Sequence, residues 1–253
     1  NNHHVVISWL LSESHNPIEL LETYLMSNIL LDNSASPLRK VLENSELGKS
    51  PSPLTGLEAD QKELVFAAGL EGVEKNKHKD VQELILNCLN ALVANGIDKD
   101  LIDSSLHQLE IKQREITGSG MPFGLQIMLS CLPACIHNDD PLSILDLDNA
   151  FNTIKSNLQS ERYVEGLIEK HLIKNSHRLN YSLIPDINFN KKTEARIQNK
   201  VSEKTKNLTT EEKNNIVKLA TSLQKRQESH DDPEILPKVT KEDIPKERKY
   251  PSP

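Results

Sequence analysis

Nine histidines and three cysteines are the residues of this 253-residue chain best suited to hold a metal or activate a water. Two imidazoles one helical turn apart, with a glutamate beside one of them, grip zinc and supply a general base. Neither H-E-x-x-H nor H-x-x-E-H occurs. The nearest run is His107-Gln108-Leu109-Glu110-Ile111, where a histidine and a glutamate fall at helical spacing and isoleucine fills the second ligand's place. One imidazole falls short of the roughly three protein ligands of a catalytic zinc, so His107 reads as a surface helix position. His3 and His4 are adjacent on a strand and must point to opposite faces. His171 and His177 flank the turn before a strand and read as solvated polar residues. Asp139-Asp140 beside His137 reads as a turn with a helix cap rather than a cation site.

Nucleophile patterns are no more complete. Gly118-Ser119-Gly120 lacks the preceding strand that a nucleophile elbow needs, and reads as a linker. There is no G-x-S-x-G, no phosphate-binding lysine loop and no G-x-G-x-x-G. Cys131 and Cys135 share a helical face. With Cys88 they read as buried small hydrophobes in a reducing compartment. The net charge of −7 arises from 30 basic and 37 acidic residues, well mixed. No basic stripe points to nucleic acid. No apolar run approaches the roughly 20 residues that cross a bilayer, and the opening Asn1-Asn2-His3-His4 has no signal-peptide character.

The elements that would position these groups follow from periodicity. Hydrophobic residues make up 36% and aromatics 4%, so the core must be aliphatic and helix-heavy. Val5 to Leu11 reads as a buried strand. Pro17 opens a helix with Ile18, Leu21, Leu25 and Ile29 on one face, stopped by Asp32-Asn33-Ser34. Ser36-Pro37 starts a short second helix. Residues 50–56 hold two prolines and read as a loop or edge strand, antiparallel to a core strand over Leu64 to Leu70. Asn76 is expected to cap a helix with Val81, Leu84, Ile85, Cys88, Leu89 and Leu92 inside, ended by Asn95-Gly96. Asp98 caps another, and Pro122 opens a third with Pro133 near its end. Further helical turns run to Leu172. His177 to Pro185 alternates as a half-buried strand that must return to the sheet. Beyond it, Lys191 to Glu228 reads as two long, thinly apolar helices in a hairpin, with Thr209 and Glu212 forming a capping box. A proline-rich linker closes the chain.

This order of elements resembles the second core domain of presequence-protease-like zinc metallopeptidases, in subfamily C of the pitrilysin/insulinase (M16) superfamily. Glu63-Leu64-Val65-Phe66-Ala67-Ala68-Gly69-Leu70-Glu71-Gly72 carries the resemblance, as do the helix around Leu106 to Ile111, the turn His137 to Pro141 and the strand Leu179 to Asp186. The Lys/Glu-rich hairpin, with Leu236-Pro237 and Lys241 to Pro245, is similar to the segment joining that family's two halves. The resemblance implies an α+β fold, an antiparallel sheet packed by several helices, followed by a long helical hairpin. It implies a degenerate, inactive core domain over residues 1–186, a hairpin over 187–232 and an extended linker over 233–253.

By the same resemblance, the inverted zinc motif would fall on Tyr24, Ser27 and Asn28, none of which can supply an imidazole or an activating carboxylate. No catalytic or metal-binding residue is therefore expected. Zinc is implied for the full-length enzyme, in the preceding domain, and none for this segment. An edge strand of the second domain anchors peptides in relatives; the matching stretch is Leu54-Thr55-Gly56, weakened by Pro51 and Pro53. The implied role is a wall of a peptide-degrading chamber and a tether between two halves. The implied partners are an upstream catalytic domain, a downstream half and peptide substrate, with neither nucleic acid nor membrane. The implied location is cytoplasmic, or an organellar matrix. The alternative is a stand-alone helical scaffold with a charged hairpin arm.

Overall fold

A computed structural model describes residues 3–115, 120–137, 140–145, 147–235, 237–238 and 240–243. Gly118-Ser119, Asn138-Asp139 and the prolines from 245 onward lie outside these. The chain divides into two compact units, Asn1–Pro185 and Asp186–Pro253.

The first unit is built on β1 (His4–Glu13), the longest and most central strand. β4 (Glu63–Glu71) pairs with it on one side and β5 (Arg178–Leu183) on the other, both antiparallel. Two short segments, β2 (Ser50–Pro51) and β3 (Gly56–Glu58), pair with the far side of β4. The proline-bearing stretch is therefore an edge strand in two pieces, because proline cannot donate to a ladder on both sides. Along β1 and β4 side chains alternate. Val5, Ile7, Trp9, Phe66, Ala68 and Leu70 join one large buried cluster with the helices, and Val6, Ser8, Ala67 and Gly69 face the other way. Gly69 is required by close approach: a Cβ there would stand 2.3 Å from the Val5 carbonyl oxygen.

Six helices supply the other half of the cluster. α1 (Pro17–Leu31) lies deepest, capped by the Asn16 side chain, which accepts from the Ile18 and Glu19 amides. α2 (Pro37–Glu43), α3 (His78–Asn95) and α4 (Lys99–Arg114) follow, then α5 (Phe123–Ile136), α6 (Asp148–Asn157) and α7 (Tyr163–Ile168). All but α5 contribute to the cluster. α7 runs on into a π-helical turn, Glu169–Ile173. That turn carries the Leu172 carbonyl, which accepts from Trp9 Nε1 at 2.8 Å and so ties the helical layer to the central strand.

Several expectations need correction. Asn76 does not cap α3; Lys77 stands at the cap without a side-chain hydrogen bond to the helix amides. The Lys77 ammonium instead bonds Asp80 in the first turn, which raises its own pKa. β5 does return to the sheet but is not half-buried. It is an edge, exposed on both faces except at the half-buried Tyr181. His171 is not solvated: the π-helical turn rotates it inward to 7% exposure. The cysteines are not fully buried: Cys135 is exposed, and Cys88 and Cys131 are only half-buried.

The second unit contains α8 (Phe189–Thr205) and α9 (Thr210–Glu228). The capping box at the start of α9 is complete. The Glu212 amide donates to Thr209 Oγ1 at 3.2 Å, and the Thr209 amide donates to Glu212 Oε2 at 2.8 Å. The Thr209 amide, and then the Thr209 hydroxyl, both donating to Glu212 Oε2, hold the Glu212 carboxyl below its usual range. Neither helix has a buried residue. The stretch expected to be an extended linker carries two 3-10 turns, Pro233–Ile235 and Lys241–Asp243.

Candidate functional site

The last turns of α1, one face of α2 (Arg39, Leu42 and Glu43) and the edge formed by β2 and β3 enclose an open cavity of about 810 Å³. Local chemistry shapes its walls. α1 ends at Leu31, and Ser36 pins the exit. Its hydroxyl donates to the Asn28 carbonyl at 3.3 Å and accepts from the Asn33 amide at 3.3 Å. Pro37 then restarts a helix at N1. On the opposite wall the ladder between β2 and β3 is interrupted. Thr55 bridges the gap with its side chain, accepting from the Gly69 amide at 3.1 Å and donating to the Gly69 carbonyl at 3.2 Å. The Ser52 amide also donates to that carbonyl, at 2.9 Å. Ser52 Oγ meets His4 Nδ1 at 3.0 Å.

Ser27, Asn28, Thr55 and Gly56 line this one cavity. Two stretches picked separately in the sequence are thus brought face to face. Tyr24 is not among them. It lines a second cavity of about 210 Å³ with Ser14 and Asp60, where burial and the Asp60 carboxylate push its phenol up. Leu54 does not line the first cavity either; it points outward at 44% exposure. Gly56 opens β3, and a side chain added there would meet nothing within 4 Å. The outer side of this edge is open.

Sequence reading missed Arg39, Glu43, Lys49 and Ser52, which complete the cavity wall. Arg39 Nε donates to Glu43 Oε1 at 2.7 Å. The spacing of that pair, one turn apart on α2, was a usable signal. The meeting of Ser52 with His4 spans 48 positions and had none.

The donors here do not fit a zinc ion. Ser27 and Asn28 offer a hydroxyl and an amide, Tyr24 faces another cavity, and of the two carboxylates in the wall, Asp32 and Glu43, the second is engaged by Arg39. Among the described residues no group of three or more His, Cys, Asp or Glu side chains could hold a metal ion. Glu110, from the near-miss on α4, is held by Lys155 at 2.8 Å and Arg114 at 3.0 Å. The Lys155 hydrogen bond leads in lowering its pKa. His107 is exposed beside it.

A sheet with one face under helices and an open edge beside a cavity is a fold that resembles those of M16-type peptidase domains. The comparisons agree. The fold matches the inactive peptidase domain of a zinc protease from Bordetella parapertussis, with a TM-score of 0.56 and 12% identity over 73% of this chain and 91% of that one. Residues 183–252 match the family described as associated with peptidase family M16, subfamily C. Presequence protease 1, chloroplastic/mitochondrial, of Arabidopsis thaliana is 33% identical over 98% of this chain and 24% of its own length. The mitochondrial presequence protease of Yarrowia lipolytica is 28% identical over 97% of this chain and 24% of its own. The chain is a homologue of presequence proteases, and its residues 183–252 carry the segment associated with subfamily C. It spans about a quarter of the length of the curated relatives it matches.

Proposed function

We propose that this chain is the non-catalytic portion of a larger zinc-dependent peptidase that degrades short unfolded peptides. Residues 1–186 wall the chamber in which peptides are held, and residues 187–232 with the following linker tether the enzyme's two halves. The zinc and its activating carboxylate belong to an upstream domain of the parent, and a downstream half closes the chamber. The relatives' names support a mitochondrial or plastid setting.

The observation that carries this reading is the shared cavity. The positions that would hold the zinc motif carry Ser27 and Asn28, and opposite them stands an open strand edge at Thr55 and Gly56. Such a pairing has no chemistry to offer and a backbone to lend. An extended peptide can add to the β2–β3 edge through main-chain hydrogen bonds, with the cavity receiving alternate side chains. Pro51 and Pro53 limit the donors on that edge, so peptide contact concentrates at residues 54–56.

A photo-crosslinking amino acid at Leu54, an exposed position, tests this in the parent protein. Substrate peptide is expected to become attached to that position, and competition by unlabelled peptide is expected to abolish attachment. Efficient crosslinking elsewhere in the chamber with none at position 54 would remove the edge from the proposal.

A further inference from the structure

The structure points to α5 as a docking element. We infer that its apolar surface is covered, in the parent protein, by an uncharged apolar surface of a domain outside this chain. The inference rests on the reading that this chain is one segment of a longer polypeptide.

From Met121 to Ile136 there is no charged residue. A helix that is apolar all round belongs inside a protein. Yet Ala134 is its only buried residue. Phe123, Leu125, Met128, Leu129, Leu132 and Ile136 are each between 39% and 58% exposed. Leu142 and Leu145, just beyond the helix, add 65% and 48% exposure to the same region. Isolated exposed apolar residues need no explanation, but a cluster on this scale marks an interaction surface. The inward side is not close-packed either: an open cavity of about 410 Å³ separates part of α5 from Arg114, Asp148 and Phe151.

The choice of occupant follows from length and charge. The matched relatives align with 97–98% of this chain, a span that includes α5, and are about four times as long. Most of the parent's surface therefore lies outside this chain and within the same polypeptide. The absence of charge on α5 selects an apolar partner surface. It also removes the basic residues by which an interfacial helix is attracted to anionic lipid.

Cys131 and Cys135 make the test direct, because both sit on α5. In the dilute parent protein, maleimide labelling is followed by peptide mapping. The reference is a thiol introduced by Ser229→Cys, at an exposed position past α9. Cys88 serves as the unreactive control, since burial pushes its thiol up to about 11. The expected result is labelling of Cys135 slower than the reference by about tenfold or more. The double substitution Met128→Gln and Leu132→Gln, which removes the apolar contact, is expected to restore the rate while far-ultraviolet circular dichroism stays unchanged. Labelling of Cys135 as fast as the reference would overturn the proposal. So would protection that appears only as concentration rises, which would assign the surface to a second copy. A parent that protects Cys135 but cleaves no peptide would refute the function proposed above and leave this inference standing.

Discussion

Helices α1 and α5 are of nearly equal length, 15 and 14 residues, and treat their side chains in opposite ways. α1 buries ten of its residues, including the polar Glu22, Thr23 and Ser27. α5 carries only two polar side chains, Gln126 and Ser130, and buries one alanine. Apolarity therefore does not decide burial within this chain; position in the fold does. α1 lies under the sheet, so even its polar groups are drawn inside and must find partners. Thr23 Oγ1 donates to the Glu19 carbonyl at 2.8 Å, and Glu22 accepts from the Tyr163 hydroxyl. α5 lies outside the core cluster, and on the inference drawn above its cover is a surface outside this chain.

Four substitutions or conditions separate the two helices. The largest effect is expected for Leu25→Ala, fully buried at the centre of α1. It should cost about 2–5 kcal/mol in denaturant unfolding of this chain, the range for truncating a buried leucine. Tyr163→Phe should cost about 1–3 kcal/mol, because it strips a hydrogen bond from buried Glu22. Burial, then the bond to Glu22, pushes the Tyr163 phenol up to about 12. A result near zero there would mean that Glu22 is solvated and that α1 is less enclosed than drawn.

Acidification comes next. Burial, and then the neighbouring Lys170, hold His171 below its ordinary value of 6.5, against a smaller opposing pull from Glu19. The folded state therefore binds the proton less readily than the unfolded state. Stability should be intact above pH 6.5, fall as the pH drops from there toward the depressed folded value, and level off below it. His171→Leu should flatten that segment of the profile, read by thermal melts across pH. The smallest effect is expected for Leu132→Ala on α5. At 44% exposure it should change the stability of this chain by no more than about 0.5 kcal/mol. A cost approaching that of Leu25→Ala would erase the contrast between the helices.

What could be read from the residues alone follows the same division. β1, α1, α2 and β4 were legible because caps, prolines and periodicity agree with burial there. The capping box of α9 was legible because it is local: Thr209 and Glu212 are three residues apart. β5 was legible as a strand from its alternation, but not as an exposed edge, since burial depends on which helices overhang it. The inward turn of His171 was hidden because a π-helical insertion shifts the face without leaving a mark in composition. The motif positions Ser27 and Asn28 and the edge at Thr55 and Gly56 could each be named from resemblance. Their meeting across one cavity could not, because a reversal through α2 and two strand fragments brings them together. The exposure of Cys131 and Cys135 was misjudged for the reason α5 itself misleads: apolar sequence argues for burial without saying by what.

The central proposal is that this polypeptide supplies architecture for peptide cleavage and none of its chemistry. The most direct test is metal analysis of the purified chain after dialysis, with a peptide-hydrolysis assay on the same sample. Far less than one zinc per chain, and no cleavage until the upstream catalytic domain is joined to it, is the expected result. One tightly held zinc per chain, or hydrolysis by the chain by itself, would contradict it.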